Sequence, residues 1–244
     1  MLTTVTDAWH TLRPPEGDKH GPLSPLLLTL TVVTGLVDAF SYLVLGHVFV
    51  ANMTGNVVFL AFALAGAKGF SLGASVLALV AFALGAAVAG RVVVHLGPRR
   101  GRVLAVSTAG EAVLAAVAAV IAWAVTDIGV SAWRFALIAL LASGTGIQNG
   151  TARKLAVPDL TTTVLTLTIT GTAFESRLGG GANSRLGRRG LSIFAMFAGA
   201  MVGTLLVLHV HVALPLLVAV VLLVPVAAAA ARLSRSKPAW DLAP

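Results

Sequence analysis

Long runs of leucine, alanine and valine, interrupted by short polar clusters, make up most of this chain. Eight apolar segments can be drawn: Leu23–Leu45, Val48–Gly66, Leu72–Leu96, Val103–Val125, Trp133–Gly150, Leu155–Phe174, Leu191–Leu208 and Val212–Ala231. Crossing a bilayer takes about 20 largely apolar residues in a helix. Barrel strands would alternate polar with apolar over shorter stretches. The pattern predicts an all-α membrane protein. Two segments are weak: Val48–Gly66 contains Asn52, Thr54, Gly55 and Asn56, and Leu155–Phe174 contains Pro158, Asp159 and a run of threonines.

Composition agrees. Of 244 residues 57% are apolar and only 11% charged, whereas a soluble domain of this length needs a charged exterior. Between Leu23 and Gly90 only Asp38 and Lys68 carry formal charge, and between Gly190 and Ala231 nothing does. The expected partner is the lipid bilayer. The net charge of +8 could suggest nucleic acid, but the basic residues flank apolar runs, where orientation signals belong, so no nucleic-acid partner is expected. The absence of cysteine excludes disulfides, iron–sulfur clusters and thiolate metal sites. With no His-Glu-x-x-His and no phosphate-binding loop, no enzyme activity, cofactor or metal is expected. The first apolar run follows some twenty mixed residues, is long for a signal-peptide core and lacks a small-residue cleavage site, so it reads as a retained helix.

Charge sets the expected topology. Arg91, Arg99, Arg100 and Arg102 mark the loop after Leu96 as cytoplasmic; Arg177, Arg185, Arg188 and Arg189 do so before Leu191, as do Arg232, Arg235 and Lys237 in the tail. An even number of crossings must join the first two loops, which demotes the polar Leu155–Phe174 and leaves Arg153 and Lys154 inside. With Arg13 and Lys19 inside, the same parity demotes Val48–Gly66. The expectation is six full transmembrane helices, two broken or re-entrant segments and cytoplasmic termini, with eight full spans as the alternative. Residues 1–22 form a cytoplasmic segment, 23–231 one transmembrane domain and 232–244 a cytoplasmic tail. Trp123 and Trp133 bracket the outer loop around Asp127, as in an interfacial aromatic belt.

The two halves, about 23–125 and 133–231, repeat one order of features. Gly35-Leu36-Val37-Asp38, a polar break at 51–56 and the small-residue run Gly85–Gly90 are followed by Gly146-Ile147-Gln148-Asn149, a break at 161–166 and Gly199–Gly203. Three spans per half would place the halves in opposite orientations, the inverted-repeat plan of many transporters. Gly199–Gly203 also has the spacing of a small-residue helix contact.

Asp38 interrupts an uncharged helix. A carboxylate at that depth is costly unless paired or wetted, so it faces the protein interior and marks a functional path. Thr34, Ser41 and Tyr42 share its face. Two readings stand side by side: Asp38 lines a pathway, or it caps the backbone amides of the break at 51–56. Asn52, Thr54, Gly55 and Asn56 combine helix-capping side chains with a flexible glycine. They suit either a half-helix that binds a polar solute or anion or a plain helix start after a hairpin at Gly46-His47. Gln148, Asn149, Thr162, Thr163 and Thr166 are their second-half counterparts. Glu111, the other intramembrane acid, has two readings, a proton relay or, as expected here, a side chain close enough to Arg100 and Arg102 to snorkel toward the cytoplasmic side. His209 and His211 read as loop residues, and Gly179-Gly180-Gly181 as a linker.

Gly-Leu-Val-Asp-Ala at 35–39, Phe-Val-Ala-Asn-Met-Thr-Gly-Asn at 49–56, Gly-Ile-Gln-Asn-Gly at 146–150 and Asp-Leu-Thr-Thr-Thr at 159–163 resemble the YoaK-like family of bacterial membrane proteins, a family of unknown function. The resemblance runs from about Leu23 to Ala231 and departs at Thr166-Leu167, where members continue into Thr-Gly. It implies a small bacterial inner-membrane protein and supplies no substrate. The residues themselves favour a secondary transporter or facilitator of a small polar solute or anion, with Asp38 coupling protons or orienting the site. The alternative is a non-transporting assembly or sensor protein whose breaks only complete the packing.

Overall fold

The computed structural model describes residues 2–129, 132–163, 165–176, 179–181, 185–235 and 239–242. Arg177 and Lys237, counted above with the basic loops, and Val164 of the threonine run lie outside the described residues. Among the described residues there are nine α-helices: α1 Leu2–Leu12, α2 Leu23–Val44, α3 Met53–Leu64, α4 Leu72–Leu96, α5 Arg100–Ala124, α6 Trp133–Leu155, α7 Leu165–Phe174, α8 Leu186–His209 and α9 Leu214–Leu233. Five of them, α2, α4, α5, α8 and α9, are long and apolar enough to cross a membrane. The 23 residues of α6 match them in length, but Gln148, Asn149, Arg153 and Lys154 make its second half polar.

The two weak segments are helical only in part. Residues 48–52 and 156–163 are irregular, leaving α3 with 12 residues and α7 with 10, both well short of the roughly 20 needed to span. Pro158 and the polar side chains of each break interrupt the backbone ladder at these points.

Helices pair across the halves: α2 lies along α8, α4 along α6 and α5 along α9, while α6 also packs on α5 and α2 on α9. Small residues permit this. A Cβ on Gly199 would fall on the Val32 carbonyl oxygen and one on Gly35 on that of Met196; Gly85 and Gly146 meet the carbonyls of Ser143 and Phe82 in the same way. Close backbone approach of this kind is how helices associate where lipid offers no hydrophobic drive. The opposite faces carry exposed apolar side chains, among them Leu84, Val113, Val120, Leu205 and Val221, which suit a hydrocarbon surround.

At the basic end the terminal segments fold back onto the bundle. Asp241 accepts from the Gly101 amide at 2.6 Å, in the first turn of α5, and sits 3.6 Å from Arg99. Arg100 donates to the carbonyls of Lys19, Leu155 and Trp240 and contacts His20 Nδ1 at 3.0 Å. Asp7 of α1 accepts from the Arg188 amide at 2.9 Å and caps α8, while Val5, Trp9 and Leu12 of α1 stay exposed. Arg100 and Arg189, read from sequence as orientation charges, are thus also buried structural ties.

Burial and then the nearby Arg100 guanidinium hold His20 below its ordinary pKa of 6.5. The unfolded chain therefore takes up a proton that the folded chain resists. Stability is complete above pH 6.5 and declines as pH falls below it. The melting temperature of purified protein is expected to fall over that range, and His20→Asn to flatten the fall; equal slopes for both would contradict the assignment.

Candidate functional site

The first break is built around Asp38. After α2 the chain turns at Gly46 and His47, both at positive φ, and doubles back along the helix. Residues 48–52 make no helical ladder, so their buried amides need other partners. Asp38 Oδ1 accepts from the amides of Val50 and Ala51 at 3.1 and 2.9 Å. Asn56 braces Phe49 from both sides, accepting its N–H at 2.9 Å and donating to its carbonyl at 2.6 Å. Thr145 of α6 donates to the Val50 carbonyl. Asn52 caps α3 by accepting from Gly55 N at 3.4 Å. His47 Nδ1 lies 3.1 Å from the Gly69 carbonyl, so the turn and the loop after α3 share one level of the bundle.

A matching construction follows α6. Ala156, Asp159 and Thr162 take positive φ, which side chains other than glycine rarely adopt. Asn149, which stands three residues after Gly146 as Asp38 does after Gly35, donates to Thr163 Oγ1. Arg189 of α8 pins the hairpin, donating to Asp159 Oδ1 at 2.9 Å, the Gly171 carbonyl at 2.7 Å and Glu175 Oε1 at 2.9 Å.

Between the two constructions lies a cavity of about 710 Å³, large enough for a small organic solute. Asp38, Asn52, Thr54 and Gly55 line it from the first half, and Asn149, Thr163 and Thr166 from the second. Phe59, Phe82, Met53 and Met196 complete the wall, and the starts of α3 and α7 both open onto it. Thr34, Gln148 and Thr162 sit behind that wall, all buried and joined: the Gln148 amide is 2.8 Å from Thr34 Oγ1 and 3.0 Å from Thr162 Oγ1. Ser41 is buried and donates to the Asp38 carbonyl at 3.2 Å. Tyr42 stacks on Phe49, 5.0 Å between ring centres. Asn56 is fully buried as the brace of its hairpin.

Glu111 differs from expectation. It does not reach the basic end; it is 3% exposed and its carboxylate lies 2.8 Å from the Gln148 amide. Gly144 of α6 makes room for it, since a Cβ there would come within 3.4 Å of Glu111 Cγ. Nothing in the linear pattern signals that a glycine faces this acid. Gly69-Phe70-Ser71-Leu72-Gly73 has the spacing of a hydrolase nucleophile turn, which requires a strand before the serine. Residues 65–71 form no strand, and Ser71 caps α4 by accepting from Ala74 N at 3.3 Å.

A bundle of membrane-length helices, with two short helices meeting over a polar hollow, defines a polytopic membrane protein. The family described as "Protein of unknown function (DUF1275)" matches residues 26–229, and the chain belongs to this YoaK-like family. It is 34% identical over 148 residues to UPF0700 transmembrane protein YoaK of Bacillus subtilis (strain 168). The matched stretch is 59% of this chain and 63% of that protein, so the chain spans a little under two thirds of the relative's length. No solved structure matches.

Proposed function

We propose that the chain is a secondary transporter or facilitator that moves a small polar solute or anion across the bacterial plasma membrane. Six helices, α2, α4, α5, α6, α8 and α9, cross the membrane, and the segments carrying α3 and α7 re-enter it without crossing. Both termini and the Arg100 end face the cytoplasm. One observation carries this reading: both interrupted segments and Asp38 converge on a single cavity of about 710 Å³. An assembly or sensor protein needs no such hollow, and a dry, filled interior around Asp38 would favour it instead.

Support for an inverted repeat comes from pairing. Exchanging the halves turns the α2–α8 contact into the α6–α4 contact and maps α5–α9 onto itself. The crossing glycines follow the same exchange, Gly35 with Gly199 and Gly146 with Gly85. Two half-helices whose positive ends point into one hollow form a site for a polar or anionic group. The asymmetry between Asp38 and Asn149 gives the two faces of that hollow different charge.

The test is an uptake screen in proteoliposomes across polar neutral, anionic and cationic solutes. Flux of one class above empty vesicles, reduced at least tenfold in Asp38→Asn, is the expected result. No difference between protein-containing and empty vesicles over all classes would overturn the reading.

A further inference from the structure

Glu111, Gln148, Thr34 and Thr162 form a buried chain of hydrogen-bonding groups linking α5, α6, α2 and the second hairpin. One end of the Gln148 amide lies 2.8 and 3.3 Å from the two Glu111 carboxyl oxygens; the other lies 2.8 Å from Thr34 Oγ1 and 3.0 Å from Thr162 Oγ1. A threonine hydroxyl has a single proton to give, and Thr34 donates its proton to the Leu30 carbonyl at 3.0 Å. While it does so, Thr34 can only accept from Gln148. In that arrangement the amide nitrogen faces the threonines and the amide oxygen faces Glu111. Amide oxygen and carboxylate are both pure acceptors, so a 2.8 Å contact between them is a hydrogen bond only when Glu111 carries a proton.

The ionised acid has its own complete set of bonds. With the amide turned over, its nitrogen donates to Glu111, and its oxygen accepts from both Thr34 and Thr162. Thr34 then releases the Leu30 carbonyl. Two protonation states thus select two amide orientations, each of which pairs both ends of the amide, which is the condition for a switch rather than a graded response. Thr162 sits at positive φ inside the second hairpin, next to Thr163 on the cavity wall, so the amide acts on the part of the fold that lines the solute site.

The neighbourhood isolates this acid. Gly144 and Thr145 of α6, Val33 and Val37 of α2, Leu223 of α9 and Ala115 of α5 surround it, none of them titratable. Arg100 and Arg102 lie two turns or more away on its own helix, and Asp38 is one turn beyond Thr34, bound to the amides of Val50 and Ala51. Asp38 accepts both N–H groups on one oxygen, Oδ1, a geometry that asks for no proton, whereas one of the two amide orientations at Glu111 does.

We propose that Glu111 is a proton-binding site whose occupancy sets the Gln148 amide and, through Thr162, the second hairpin, making it the proton-coupling residue of the transport cycle. The coupling role rests on the transport reading above; the proton site does not. When the proton leaves to water, the amide inverts and the hairpin exchanges an N–H donor for an oxygen acceptor at Thr162.

The test is infrared spectroscopy of the full chain in lipid nanodiscs at neutral pH. A protonated, hydrogen-bonded carboxyl gives a resolved C=O stretch that shifts in deuterated water. That band is expected in the wild type, absent in Glu111→Gln and present in Asp38→Asn. Gln148→Leu, which removes the partner and keeps the acid, is expected to move the band to higher frequency. A wild type without the band, a band that survives Glu111→Gln, or one unmoved in Gln148→Leu overturns the proposal. A band that follows Glu111, together with no flux in any vesicle, would uphold the proton site and sink the transport reading instead.

Discussion

Asp38→Ala is expected to melt well below the wild type and to lose all solute flux, while Asp38→Asn keeps most of the stability and loses most of the flux. The carboxyl group holds the amides of Val50 and Ala51 at 3.1 and 2.9 Å, and Val50, 0% exposed and outside the cavity lining, has no water to replace it. Each buried donor left without a partner costs roughly 1–3 kcal/mol, a large share of any domain's margin. Asparagine retains an oxygen able to accept from those amides but brings no charge to the cavity. Thermal melting in detergent followed by fluorescence separates the effects. Equal melting of Asp38→Ala and wild type would show that the hairpin is held by Asn56 and Thr145 alone.

Valine at Gly146 or Gly199 is expected to prevent correct assembly. At both positions the first added carbon would land on the carbonyl oxygen of the crossing helix, Phe82 in one case and Val32 in the other. Overpacking typically costs about 1–3 kcal/mol and more where the obstacle is backbone. Separating α2 from α8, or α4 from α6, would also pull apart the walls of the cavity. Gly110, where an added methyl would meet nothing within 4 Å, is the control: Gly110→Ala should melt at or slightly above the wild type, by up to about 1 kcal/mol of helix propensity. Yields of monodisperse protein on size-exclusion chromatography read out both. Normal yield for Gly199→Val would contradict the close crossing.

Much of this architecture is legible in the chain. The apolar run Leu72–Leu96 is a helix with those same bounds, and the polar interruptions predicted at 51–56 and 161–166 overlap the irregular segments 48–52 and 156–163 in part and run on into the first turns of α3 and α7. Asp38 stands out because an acid in an uncharged helix has few physical explanations, and its geometry joins both of them: it caps the hairpin and lines the hollow. Glu111 is not legible in the same way. Its fate depends on Gly144 and Gln148, which lie on another helix and reach it only through the tertiary fold. Arg100 and Arg189 can be read along the chain by their charge alone. Their burial depends on the folding back of the Trp240-Asp241 tail and of the Asp159 turn, which no local periodicity reports. Asn56 resembles a pathway residue because it is polar at depth, but polarity alone does not distinguish a side chain facing a cavity from one bracing a backbone turn.

The central claim is that both interrupted segments open onto one water-filled hollow within a lipid-embedded bundle. The chain contains no cysteine, so single cysteines can be placed without background. Thr54→Cys and Thr166→Cys, one from each half, and Val120→Cys, which is 68% exposed on the outer face of α5, can be treated in intact membranes with a small, charged, membrane-impermeant thiol reagent. Labelling at both threonine positions with none at Val120 is the predicted result. Protection of either threonine position from both sides of the membrane, or labelling at Val120 as fast as at the other two, would contradict it.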